Sequence, residues 1–191
     1  MKSKLFILSF ILVLISCRTK KESNLNVDSF VGLDLNGKEI QFKNLNSPRL
    51  ALNVYSPTCI PCFKEIPTLN YLRQEIIRSG LGEFYMVVDP ISITDGFENK
   101  SFDSVYAEAK SIMIDEIEKR KIELPVVIMK PPFHVNPGGG LITGTPETLL
   151  FKTNPLILYY NFIGSISEKQ DPEEIKNDLK VKFFKKTIGG I

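Results

Sequence analysis

Asn53-Val54-Tyr55-Ser56-Pro57-Thr58-Cys59-Ile60-Pro61-Cys62-Phe63-Lys64-Glu65-Ile66-Pro67 is the stretch on which the fold turns. Leu50, Ala51 and Leu52 lead into Val54 and Tyr55 as a short apolar run, suited to a strand covered on both faces. From Cys59 the periodicity changes. Phe63, Ile66, Leu69, Leu72 and Ile76 recur every three or four residues and make one apolar helix face. A Cys-x-x-Cys pair therefore sits where a buried strand passes into a helix N-terminus. The first cysteine lies beside unpaired amides and the positive end of the helix dipole, which favour thiolate over thiol. The second is one helical turn on, close enough to attack a mixed disulfide formed by the first. Pro61 suits the first turn, where no amide hydrogen is needed, whereas Pro67 inside the helix predicts a kink.

The pair alone leaves two other readings open, half of a zinc site and a structural disulfide. With three Cys, one His and no second Cys-x-x-Cys, a four-ligand zinc site would need carboxylates. A disulfide closed over two residues does little to constrain the unfolded chain.

Working outward, residues 30–42 alternate around Asn36-Gly37, with Val31, Leu33 and Leu35 on one side and Ile40 and Phe42 on the other, which predicts a hairpin. Tyr85 to Val88 reads as a strand closed by Asp89-Pro90. Phe102, Val105, Ala109, Ile112, Met113 and Ile117 mark a long amphipathic helix. Pro125 to Met129 is a further buried strand, and residues 130–144 form a Pro- and Gly-rich loop that is long for a compact domain. Glu147 to Phe151 and Leu156 to Tyr160 predict a closing hairpin turned at Thr153-Asn154-Pro155. Asp171-Pro172-Glu173-Glu174 is a helix start, and that helix is expected to run to about Lys186. The order gives an α/β fold, a mixed sheet with helices on both faces and an N-terminal β-hairpin extension.

The N-terminus reads as an address. Lys2 and Lys4 precede Leu5 to Ile15, eleven residues that are apolar except for Ser9. That run is shorter than the roughly 20 residues needed to span a bilayer. Leu14-Ile15-Ser16-Cys17 is similar to a bacterial lipobox, so residues 1–16 are expected to be a lipoprotein signal peptide and Cys17 the lipidated first residue. Residues 17–27 would then be a polar tether, and residues 28–191 one domain. An ordinary signal peptide with Cys17 there by chance is the plainer alternative. Loss of Lys2 and Lys4 takes the 24 basic side chains to 22, level with 22 acidic ones. A near-neutral chain offers no basic stripe for phosphates, which argues against nucleic acid as a partner. Its 43% hydrophobic content excludes an unfolded polar chain.

Taken together, the Cys-x-x-Cys stretch, Gly144-Thr145-Pro146-Glu147-Thr148-Leu149-Leu150-Phe151 and Phe162-Ile163-Gly164-Ser165-Ile166-Ser167 resemble the thioredoxin superfamily, specifically its membrane-tethered TlpA-like thiol:disulfide reductases. The resemblance covers roughly residues 30–184 and implies a thioredoxin-like fold. It implies that Cys59 is the exposed nucleophile, Cys62 the buried resolving thiol and the two a redox-active disulfide. Pro146 matches the family's cis-proline, with Thr145 offering its backbone to an extended substrate strand. Glu65 matches an acid placed near the cysteines to tune or relay a proton; a solvated first-turn residue is its plainer reading. Asn53 stands where ordinary thioredoxins have a buried Asp. The activity implied is reduction of protein disulfides in the cell envelope, in cytochrome c maturation among other settings. It implies disulfide-containing envelope proteins as substrates, a membrane electron donor for re-reduction, attachment through the lipid anchor facing the periplasm, and neither metal nor cofactor.

Two departures concern the substrate. Thr58 stands where an aromatic residue usually precedes the first cysteine, and residues 130–144 replace the helix normally preceding the cis-proline. Two alternatives follow from other classes. One is a copper metallochaperone of the related Sco type, with His134 joining the cysteines, although such proteins space their cysteines by three residues. The other is a non-catalytic envelope lipoprotein that keeps the fold as a scaffold.

Overall fold

Among the described residues seven strands make one mixed sheet. The computed structural model describes residues 27–94 and 100–189. The expected signal peptide, Cys17 and all of the tether but Val27 lie outside the described residues. Strands β1 (Val31–Asp34) and β2 (Glu39–Gln41) form the N-terminal hairpin. Its turn closes because Gly37 takes φ 82° and the Asp34 carboxylate accepts the amides of Asn36 and Lys38. Strand β3 (Arg49–Tyr55) lies centrally, parallel to β4 (Gly82–Val88) and antiparallel to β6 (Glu147–Lys152). Strand β5 (Val126–Met129) runs parallel to β4 and antiparallel to β1. Strand β7 (Ile157–Ile163) pairs with β6 at one edge of the sheet, and β2 forms the other.

Helix α1 (Ile60–Ser79) follows β3 directly, and α2 (Phe102–Arg120) precedes β5. Pro67 lies inside α1 without ending it, and Gly80 closes it in the left-handed conformation at φ 64°. The single last helix expected from the sequence is two: α3 (Pro172–Asn177) and α4 (Leu179–Ile188). Asp178 separates them. Its ψ of 134° leaves the helical region, and its side chain accepts the amides of Lys180 and Val181, so it caps α4 while ending α3.

Side-chain alternation along β3 divides the core. Ala51 and Tyr55 join one buried cluster with Leu69, Leu72 and Ile76 of α1, Met113 of α2, Ile175 of α3 and Phe184 of α4. Leu50, Leu52 and Val54 face the other way, into a second cluster with Phe30, Phe42, Phe133, Ile142, Leu149 and Phe151. All four described α-helices contribute to the first cluster and none to the second. The expectation of helices on both faces is corrected accordingly. Pro131, Pro132, Pro137 and the Gly138-Gly139-Gly140 run cannot sustain a helix, so residues 130–144 close the second face as an ordered loop, with Phe133 and Ile142 as its buried anchors.

Candidate functional site

The parallel strands β3 and β4 end at the same edge of the sheet, and α1 begins there. Cys59 and Cys62 are joined in a disulfide with Cα atoms 5.3 Å apart. Cys59 is the N-cap of α1, and its sulfur accepts the Cys62 amide at 3.2 Å. The same amide would favour a thiolate once the bond is reduced. Cys62 is 1% exposed whereas Cys59 is only partly buried, so the two sulfurs differ in access. Ile60, between them, is 64% exposed.

The Thr145-Pro146 bond is cis, and Pro146 joins Pro61 in the wall of an open groove of about 780 Å³. Thr145, Ile166, Leu179 and Lys180 line the same groove, and Leu179 is 81% exposed. The cysteine turn and the proline turn therefore border one surface, although the chain separates them by more than eighty residues.

No protein-family model matches the chain. It is 28% identical over 102 residues to the thiol-disulfide oxidoreductase ResA of Bacillus thuringiensis (strain Al Hakam), which is 53% of this chain and 57% of that relative. It is 33% identical over 64 residues to ResA of Bacillus cereus (strain ZK / E33L), 34% of this chain and 37% of the relative. These matches span little more than half the length of the curated relatives, or less. Among solved structures, StoA from Bacillus subtilis superposes with a TM-score of 0.51 at 17% identity, covering 78% of this chain and 96% of that one. The fold is thioredoxin-like. A thiol:disulfide interchange protein from Bacteroides sp. gives a TM-score of 0.50 at 16% identity over 84% of this chain and 86% of its own.

Within this thioredoxin fold Glu65 is fully buried, not solvated. It lies three residues after Cys62, one turn along the same face of α1. Its Oε1 accepts the Ile166 amide at 2.5 Å, and its Oε2 accepts Asn53 Nδ2 at 3.3 Å. Burial pushes its carboxyl from 4.5 up to about 8; those two donors and Lys180 pull the other way, and Glu168 adds to the rise. Asn53 sits on the α1 side of β3 because it lies two residues from both Ala51 and Tyr55, in phase with them. Across the sheet it faces Thr148, whose hydroxyl accepts the same Nδ2 at 3.0 Å. Asn53 Oδ1 has no hydrogen-bond partner among the described residues.

Several neighbours of this site have no clear signature in the sequence. Arg120 lies 3.6 Å over the ring of Phe63, next to Cys62, and its Nε donates to Glu116 at 3.2 Å. The Tyr55 hydroxyl donates to the same Glu116 oxygen at 2.6 Å. Burial, with that carboxylate beside it, raises the Tyr55 phenol far above its ordinary range. The signal was faint: acids and bases at helical spacing on α2 read as a solvated face. Glu147, at the start of β6, and Asp89, just past the end of β4, are also buried carboxyl groups.

His134 does not join the cysteines in a ligand set. Its Nδ1 lies 2.8 Å from Asp89 Oδ2, and that oxygen also accepts the Val135 amide. Among the described residues no three His, Cys, Asp or Glu side chains are grouped to hold a metal ion. The copper reading therefore gains no geometric support.

Proposed function

We propose that this chain is a thiol:disulfide oxidoreductase that reduces protein disulfides outside the cytoplasm, with Cys59 as nucleophile and Cys62 as resolving thiol. One observation carries the reading: a Cys-x-x-Cys disulfide caps a helix at the C-terminal end of a central strand, and Pro61 between its cysteines lines the same groove as a cis-proline turn. The name of the curated relatives, thiol-disulfide oxidoreductase, agrees with it.

In the dithiol form the Cys59 thiolate attacks one sulfur of a substrate disulfide. A mixed disulfide forms, and the other substrate sulfur leaves as a thiolate that takes up a proton. Cys62 then loses its proton and attacks Cys59. The second substrate sulfur departs, and the Cys59–Cys62 disulfide is left. Two electrons pass to the substrate, and a dithiol donor at the membrane must return them. Glu65 is the group on hand for the Cys62 proton, because a carboxyl raised to about 8 exchanges protons near the pH at which thiols ionise. Thr145 and Pro146 are assigned to the substrate backbone, and exposed Leu179, in the lining of the same groove, offers an apolar contact.

Residues 1–16 are read as the export signal and Cys17 as the lipidated residue, attaching the domain to an envelope membrane with its groove facing the periplasm. No described helix is long and apolar enough to cross a membrane. Reduction of insulin disulfides by the dithiol form tests the assignment, with Cys59→Ser as control. Turnover that survives Cys59→Ser would remove Cys59 from the role of nucleophile, and a wild-type chain without turnover would leave the scaffold reading in its place.

A further inference from the structure

Glu147 directly follows the Thr145-Pro146 bond and is 1% exposed. Alternation along β6 turns Thr148 toward Asn53 and Glu65, and turns Glu147 to the opposite face, over residues 130–144. Leu149 and Phe151, which share that face, are apolar; a carboxyl group there costs stability unless it is fully bonded. It is fully bonded. Oε1 accepts the Thr143 amide at 2.8 Å and the Thr143 hydroxyl at 2.6 Å, and Oε2 accepts Asn161 Nδ2 from β7 at 2.9 Å. Asn161 Nδ2 also donates to the Leu141 carbonyl at 3.4 Å.

Residues 143 and 147 flank the turn that carries Gly144, Thr145 and Pro146, and these bonds join them across it. Packing does little to hold the turn at Gly144, because a Cβ built there would meet nothing within 4 Å. The Gly164 amide, which donates to the Pro146 carbonyl at 2.9 Å, fixes the β7 side alone. The far end of the loop is pinned separately, by Asp89 to His134 and Val135.

We propose that Glu147 is a positioning residue: by tying Thr143 to Asn161 it holds the Thr145-Pro146 turn where an extended disulfide substrate can pair with the Thr145 backbone. The proposal rests on the oxidoreductase reading above. It assigns to Glu147 no contact with the reacting sulfurs, so its removal should affect substrates that need strand pairing and spare those that do not.

The test compares the full chain and its variants, in the dithiol form, on two substrates. One is a peptide with a single disulfide, and the other is 5,5′-dithiobis(2-nitrobenzoate), too small to pair with a strand. Glu147→Ala should raise KM for the peptide about tenfold, the equivalent of one net hydrogen bond, and leave the rate with the small disulfide within about twofold. Glu147→Gln keeps an oxygen for both Thr143 bonds, its NH2 can donate to Asn161 Oδ1 once that amide turns over, and it should recover most of the peptide KM. If Glu147→Ala does not fold, Asn161→Ala removes one bond from the exposed edge and should raise the peptide KM by about threefold. An unchanged peptide KM in folded Glu147→Ala, or in Asn161→Ala where that variant stands in for it, overturns the proposal. So does an equal slowing of both substrates, which would make Glu147 a general support of the fold. A wild-type chain that cannot reduce the peptide at all overturns the oxidoreductase reading and this one with it.

Discussion

Replacing Glu65 by Gln should change how stability depends on pH, in a window the structure sets. The folded chain holds the Glu65 proton up to about pH 8, whereas the unfolded chain releases it near 4.5. Below pH 4.5 both states are protonated and the group contributes no slope. Between pH 4.5 and 8 the folded state binds the extra proton, so stability falls as pH rises. Above pH 8 both states are charged and the full cost of the buried carboxylate remains. At 1.36 kcal/mol per pH unit the fall amounts to about 5 kcal/mol. Glu39 and Glu75 do not confuse the reading. Their carboxyls are held below 4.5 by Lys130 and Lys185 respectively, so their stabilisation is lost only as pH drops beneath that value. In Glu65→Gln the side-chain carbonyl keeps an oxygen for the Ile166 amide. The new NH2 group can meet Asn53 if that side chain turns its unpartnered Oδ1 inward, with the Thr148 hydroxyl donating instead. Urea unfolding of the oxidised chain at intervals from pH 4 to 9, followed by circular dichroism, reads the effect. The wild type should lose stability toward pH 8, and the variant should stay nearly flat. Parallel curves for the two proteins across that range would refute the account of Glu65 as a carboxyl kept neutral by burial.

Leu69→Ala, at a fully buried position of α1 facing β3, should cost about 2–5 kcal/mol in the same unfolding assay. Gly32→Ala should destabilise the N-terminal hairpin, because its Cβ would lie 2.6 Å from the Ile128 carbonyl oxygen of β5; unchanged stability would mean that β1 and β5 can part without penalty. In the reduced native chain, brief alkylation should label Cys59 well before Cys62, and mass mapping that finds Cys62 labelled first would reverse their roles.

The elements that carry the cysteines were legible because local signals agree there. An apolar run, a Cys at the N-cap, Pro61 in the first turn and a 3–4 periodicity all specify a strand leading into a helix. The proline turn was legible only through the resemblance. Composition and spacing say nothing of its approach to Pro61. The burial of Glu65 was not legible because its partners are distant: Asn53 is twelve residues away on β3, and Ile166 lies 101 residues on, past β7. The break at Asp178 was missed for the opposite reason. Its cap is local, but the acids and lysines around it read as one continuous amphipathic helix until the extended ψ is seen. The Pro and Gly content of residues 130–144 makes their irregular backbone legible. That the loop closes one face of the core, through Phe133 and Ile142, depends on contacts with Phe30 and β6 that no local pattern encodes.

The central claim is that Cys59 attacks and Cys62 resolves, and a stalled reaction tests it most directly. In a Cys62→Ser chain the mixed disulfide with a substrate has no internal thiol to release it. Reduced Cys62→Ser chain mixed with a disulfide-containing protein should accumulate a covalent, reductant-sensitive adduct, which peptide mapping places on Cys59. The matching Cys59→Ser chain should form none. Adducts that form equally through Cys62, or a Cys62→Ser chain that turns over substrate like the wild type, would contradict the mechanism.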